Sequence, residues 1–131
     1  MLSSSRSSIQ TMRTQFIRKE GSSTVRLEIG KHFAELNTSD VDALIEQLSA
    51  VRAVLQPAVP AHVSRRRQYA IEIDPCWYAE PHPASESVVL FLRDTGAGWA
   101  GFAIPRTGAL RLRDGLARYI HAVETRLGLP N

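Results

Sequence analysis

Two apolar runs flank a glycine-containing turn between Val88 and Ile104. The first run reads VVLFL, the turn RDTGAG, and the second run WAGFAI. Runs of this length on either side of such a turn predict a β-hairpin. We expect Gly96 and Gly98 to adopt the positive φ angles of the turn, because glycine does so at no steric cost. Gly101, inside the second strand, predicts a bulge or a close approach of backbone.

Strict alternation of apolar and polar residues predicts three further strands. The first two would form a hairpin across a turn at residues 19–23, with Arg26 and Glu28 on its solvated face. The alternating residues are Met12, Thr14 and Phe16 in the first strand, Val25, Leu27 and Ile29 in the second, and Tyr69, Ile71 and Ile73 in the third.

Apolar residues at steps of three and four predict two amphipathic helices. The first would begin at Thr38-Ser39-Asp40, where a hydroxyl can act as N-cap, and end before Pro57. The second would begin at Pro105 and end at Gly128 as its C-cap, with Pro130 beyond. The two apolar stripes are Val41, Leu44, Ile45, Leu48, Val51 and Leu55, and Leu112, Leu116, Tyr119, Ile120, Val123 and Leu127.

The predicted order is β-β-α-β-β-β-α, with no internal repeat. It indicates an α+β two-layer sandwich: a five-stranded, mainly antiparallel sheet with both helices on one face. Residues 12–131 fit a single α+β domain at this length. Residues 1–11, rich in serine and arginine, predict a disordered tail. The alternatives for these residues are an organelle transit peptide, or translation that truly starts at Met12.

Composition narrows the class of protein. The net charge is +3 and the pI near 9.5, which permits an acidic partner without requiring one. No apolar run is long enough to span a bilayer, so we expect no membrane association. A single cysteine excludes an internal disulfide framework and favours a reducing compartment, the cytoplasm. Arginine far outnumbers lysine, which we attribute to a GC-rich bacterial genome.

Cys76 and His82 are the one pair whose chemistry suggests a nucleophile, since an imidazole can help ionise a thiol. No family signature surrounds either residue, and the scattered histidines lack zinc-ligand spacing. Carboxylates can act in acid–base catalysis, and three of them, Asp74, Glu80 and Glu86, lie in the same stretch. Acidic residues are about as frequent elsewhere in the chain, so they do not indicate a catalytic site. We therefore expect no enzymatic activity, no cofactor and no metal site.

Trp77, Tyr78 and His82 lie in a proline-rich stretch just before the hairpin, which we interpret as a loop. Exposed aromatic side chains are typical anchors for a protein partner, although Trp77 could instead plug the loop onto the sheet. The preferred hypothesis is a small non-enzymatic accessory or regulatory protein that binds another protein, as an inhibitor, immunity protein, adaptor or chaperone. A homodimer formed through an exposed edge strand is a further possibility.

Nucleic-acid binding is the alternative function. Arg65, Arg66 and Arg67, with Arg13, Arg26 and Arg93, could line an open sheet face. Glu28 and Glu72 would lie on that face and cancel part of its field, and stacking aromatics are missing from it. The glycine-rich turn does not indicate a phosphate loop, because a strand rather than a helix follows it.

Overall fold

The computed structural model describes residues 11–128, so nearly all of the predicted tail, and Pro130, lie outside the described residues. The chain divides into two units, Met1–Arg65 and Arg66–Asn131. Each unit consists of a three-stranded antiparallel sheet followed by a helix, in the order β-β-β-α. The α+β class is confirmed. The shared element order of the two halves is a repeat that the sequence pattern did not reveal.

Unit 1 contains β1 (Met12–Lys19), β2 (Ser22–Ile29), β3 (His32–Leu36) and α1 (Thr38–Val54). Its strands pair in the order β1-β2-β3 across two-residue turns. Gly21 and Gly30 occupy these turns with φ of 76° and 60°, a conformation that favours glycine. The predicted first hairpin is therefore confirmed. The short strand β3 was not predicted from the sequence pattern.

Unit 2 contains β4 (Trp77–Pro81), β5 (Ser87–Asp94), β6 (Gly98–Pro105) and α2 (Arg106–Leu127). The strands pair in the order β4-β5-β6, and α2 contacts β5 and β6. The β5–β6 hairpin confirms the prediction made for Val88 to Ile104. Helix α2 begins directly after Pro105 and ends at Gly128, which has a φ of 69° as the predicted C-cap.

The prediction of a single five-stranded sheet is wrong, because six strands in the described residues form two separate three-stranded sheets. The predicted strand from Tyr69 to Ile73 is absent: this segment is irregular, with Ile71 83% and Ile73 88% exposed. Alternation identifies a segment that could pair, but a strand also needs a partner for its backbone hydrogen bonds. Residues 77–81, predicted as a loop, pair with β5 instead, and Pro81 lies at the end of this edge strand, where proline is tolerated.

The turn of the β5–β6 hairpin is held by the Asp94 carboxylate. Its Oδ1 accepts hydrogen bonds from the backbone N–H groups of Gly96 (2.9 Å) and Ala97 (2.6 Å). Gly98 has the predicted positive φ, 88°, whereas the prediction for Gly96 was wrong. Gly101 pairs in register with Phe91, so β6 carries no bulge there. The Phe91 ring covers Gly101, and a Cβ at this position would lie 2.7 Å from ring atom Cε1.

The N-cap of α1 is Asn37, one residue before the predicted hydroxyl. Its Oδ1 accepts from the Asp40 N–H at 2.9 Å, and Asp40 Oδ2 accepts from the Asn37 N–H at 3.0 Å. This reciprocal capping box satisfies two backbone donors that the helix itself leaves without partners. At the other end, Arg52 donates to the carbonyls of Leu55 and Pro57.

Neither unit has a fully buried core within the described residues. The apolar stripes of both helices and the aromatic residues of both sheets remain partly or mostly exposed. The backbone hydrogen bonds of the strands and helices therefore hold each unit together, because its apolar side chains are only partly shielded from water.

We expect Gly98→Ala to lower the free energy of unfolding by about 1–2 kcal/mol, because its left-handed φ is strained for any residue with a Cβ. Gly96→Ala is the matched control in the same turn. Its φ is not positive and an added Cβ would make an ordinary contact, so little change is expected. Denaturant unfolding of the full chain measures both, and equal losses would contradict this account of the turn.

Asn37→Ala removes the N-cap of α1 and should cost about 1 kcal/mol of stability. Thr38→Ala, one residue into the helix, should cost distinctly less, because the capping bonds do not involve the Thr38 side chain. Thermal unfolding followed by far-UV circular dichroism compares the two. A larger loss of stability for Thr38→Ala would contradict Asn37 as the N-cap and support the hydroxyl cap predicted from the sequence.

Candidate protein-binding site on the second sheet

Trp77 and Tyr78 lie next to each other in β4, and their side chains belong to opposite faces of the second sheet. Trp77 pairs with Leu92 of β5, and Tyr78 pairs with Phe91. Directly paired residues share a face in an antiparallel sheet, whereas successive residues alternate. The two aromatic side chains therefore point to opposite faces, and a strand rather than the predicted loop carries them.

The face that carries Trp77, here called the Trp77 face, has three rows that cross all three strands without a charged side chain, and beyond the Trp77 row it carries Asp94 at the hairpin turn. These rows are Trp77, Leu92 and Ala100; Ala79, Leu90 and Phe102; and Pro81, Val88 and Ile104. Trp77 is 69% exposed and Phe102 51% exposed. Near the end of β6, Ile104 lies beside the first turn of α2, where a Cβ at Gly108 would be 3.2 Å from Ile104 Cγ2. The open part of this face therefore lies toward Trp77 and Phe102.

The opposite face carries Tyr78 in a more polar setting. The Tyr78 ring is tilted against the Phe91 ring with centroids 6.3 Å apart. Its hydroxyl donates to Glu80 Oε2 at 3.2 Å. This hydrogen bond, and secondly the repulsion between the Glu80 carboxylate and a phenolate, raise the pKa of Tyr78 above its usual value. Tyr78 is thus held by neighbours within its own sheet, whereas the row partners of Trp77, Leu92 and Ala100, are apolar.

His82 follows β4 and belongs to the turn into β5. Its backbone N–H donates to the Ser87 carbonyl at 2.9 Å. Its Nδ1 accepts from the Ala84 N–H at 3.2 Å and lies 3.1 Å from Ser85 Oγ. His82, which is half-buried, therefore holds the turn.

The arginines proposed for nucleic-acid binding are not gathered on one sheet. Arg13 and Arg26 share a face of the first sheet, and Arg93 belongs to the second sheet. Arg26 Nε bonds Glu28 Oε1 at 2.9 Å, and its guanidinium stacks 3.8 Å from the Phe33 ring centroid. Glu28 thus offsets charge on that face, as predicted. Arg65 and Arg66 lie in a turn and Arg67 in a bend, all outside the strands. Glu72, also outside the strands, accepts a hydrogen bond from Thr95.

Cys76 and His82 lie at opposite ends of β4. Six residues of extended chain place them about 20 Å apart, so the thiol and imidazole are not adjacent. Cys76 is exposed, and its carbonyl accepts from the Arg93 N–H. Within residues 11–128, no group of three or more histidine, cysteine, aspartate or glutamate side chains could hold a metal ion.

Unit 1 holds an apolar groove that sequence reasoning missed, with a volume of about 430 Å³. It lies between the first sheet and the N-terminal half of α1. Thr24 is among the lining residues, and its Oγ1 is buried without a hydrogen-bond partner in the described part of the chain. The apolar residues that line the groove are Phe16, Val25, Leu27, Leu36, Val41 and Leu44.

Comparison of the chain with known protein families, curated proteins and solved structures finds no match. Across residues 11–128, neither helix combines the length and apolar character needed to cross a membrane.

Glu80→Gln should lower the pKa of Tyr78, because a neutral amide neither repels the phenolate nor accepts from the phenol as a carboxylate does. Ultraviolet titration of tyrosine absorbance measures the change. Subtracting the titration of a Tyr78→Phe variant isolates Tyr78 from the other tyrosines. An unchanged or higher pKa would show that Glu80 does not control this hydroxyl.

Proposed function

We propose that this protein is a small non-enzymatic accessory protein that binds a protein partner through the Trp77 face of its second sheet. The partner would offer an apolar segment to Trp77 and Phe102. The supporting observation is a surface of three uncharged rows that leaves both aromatic side chains more than half exposed.

Burial of the three uncharged rows would remove apolar area from water without a penalty for desolvating charges. Tryptophan supplies a large contact area at low conformational cost and is enriched among the residues that dominate binding energy. The rows are fixed by backbone pairing, so their aromatics need little further ordering on binding.

The opposite face is the weaker candidate. Tyr78 already bonds Glu80 and packs against Phe91, and Glu80 and Arg93 place charges on that side. A partner there would have to desolvate these charges or pair them. We therefore assign the main contribution to Trp77 and a smaller one to Tyr78.

Affinity capture from the source organism, followed by measurement of Kd with the purified partner, tests the proposal. Trp77→Ala should weaken binding at least about tenfold, the scale of an interface hot spot, and Phe102→Ala should also weaken it. Tyr78→Ala should have a smaller effect.

Val63→Ala is the matched control, since Val63 is a highly exposed apolar residue of the other unit. Circular dichroism verifies that each variant is folded. Full binding by folded Trp77→Ala and Phe102→Ala variants would exclude the Trp77 face as the binding surface. Loss of binding only in Tyr78→Ala would move the site to the opposite face.

A further inference from the structure

Within the described residues of unit 2, the apolar stripe of α2 is left largely exposed. The helix has 22 residues, a length of about 33 Å, and it contacts β5 and β6 of its own unit. Even so, the six side chains of the stripe are between 42% and 64% exposed. Monomeric proteins rarely leave a long continuous apolar surface open to water. The stripe consists of Leu112, Leu116, Tyr119, Ile120, Val123 and Leu127.

We propose that α2 packs antiparallel against α2 of a second copy of this chain, forming a homodimer. This surface is distinct from the sheet edges, and the inference does not depend on the proposed function of the Trp77 face. Three properties of α2 identify a second copy as the occupant: the symmetry of the stripe, the charges beside it and its area.

The stripe is symmetric about the point between Tyr119 and Ile120. A two-fold axis at this point brings residues whose numbers are equally distant from it to the same height along the two helices, and each contact between different residues then occurs twice, as a closed dimer requires. Leu112 lies level with Leu127 of the second copy, and Leu116 lies level with Val123. Tyr119 and Ile120 lie at the centre on opposite sides of the stripe, so each lies beside the same residue of the second copy. Every contact along the stripe is therefore apolar.

Charges beside the stripe fit the same arrangement. At about 100° per residue, Arg113 and Glu124 lie on the same side, roughly 70° and 90° from the centre of the stripe. Same-side positions of two antiparallel helices meet, so Arg113 of one copy would lie beside Glu124 of the other. Within one chain, Arg113 contacts Asp114 at 3.0 Å, but both side chains are about two-thirds exposed. An exposed pair of this kind contributes little, so Arg113 is available to a partner helix.

The area of the stripe is of the right order for a dimer. Large apolar side chains at these exposures offer roughly 100 Å² each, so the stripe offers about 600 Å² per copy before flanking residues are counted. Stable interfaces bury about 800 Å² per partner. Burial of the stripe with its flanking side chains would reach that size.

Sedimentation equilibrium of the full chain at micromolar concentration tests the assembly. We expect twice the 14.5 kDa mass of one chain. Ile120→Glu should weaken the dimer at least about tenfold, since it places a carboxylate in the centre of an apolar contact. Arg111→Glu, on the far side of α2, is the control and should leave the dimer intact. A monomeric wild-type chain, or a dimer unaffected by Ile120→Glu, would overturn the proposal.

A charge exchange provides a second test that leaves the stripe untouched. Arg113→Glu and Glu124→Arg should each weaken the dimer, because each places like charges together. The double variant should restore it. Circular dichroism establishes that the variants are folded, and failure of the double variant to recover would reject the antiparallel pairing.

Cross-linking tests the register directly. In a Cys76→Ser background, the double variant Leu116→Cys/Val123→Cys should form disulfide-linked dimers, since these positions oppose each other across the axis. Each single variant should not, because identical positions would be offset by about 10 Å along the helices, beyond the reach of a disulfide. Efficient cross-linking of either single variant would contradict the proposed register.

Discussion

Backbone pairing between neighbouring strands is the interaction on which both units depend. No side chain in residues 11–128 is fully buried, so a close-packed core does not hold these elements in place. The ladders do so instead, and the hairpin turn that Asp94 closes fixes the register of β5 with β6. That register decides which side chains share a face. The uncharged surface around Trp77 is therefore a consequence of the backbone ladder.

The repeated β-β-β-α order explains why so much apolar surface remains open. A three-stranded sheet and one helix form a small unit, and small units bury a low fraction of their surface. In unit 1 the remaining apolar space is the groove beside α1. In unit 2 it is the stripe of α2 and the open part of the Trp77 face. Our two proposals concern these surfaces: a second copy for the stripe, because its residues are symmetric, and a protein partner for the Trp77 face, because its three rows carry no charge.

Trp77 and Tyr78 are adjacent in sequence, but the strand places their side chains in different surroundings. Tyr78 is committed to contacts within its sheet, through Phe91 and Glu80, and its raised pKa follows from the adjacent carboxylate. Trp77 points to the other face, where its paired neighbours Leu92 and Ala100 offer only apolar surface. A binding surface on one face can thus coexist with a structural contact on the other.

Local signals in the sequence were sufficient for the β5–β6 hairpin, both helices and the Gly128 cap, because periodicity and turn chemistry act over a few residues. The aromatic character of the candidate site was also visible at Trp77. Which strands pair depends on partners farther along the chain, so alternation alone gave wrong predictions here. Residues 69–73 alternate but form no strand, whereas Trp77–Pro81 pairs with β5 without clear alternation. Only tertiary structure decided that six strands form two sheets, and that Leu92 and Phe102 join Trp77, because backbone hydrogen bonds across strands set the register.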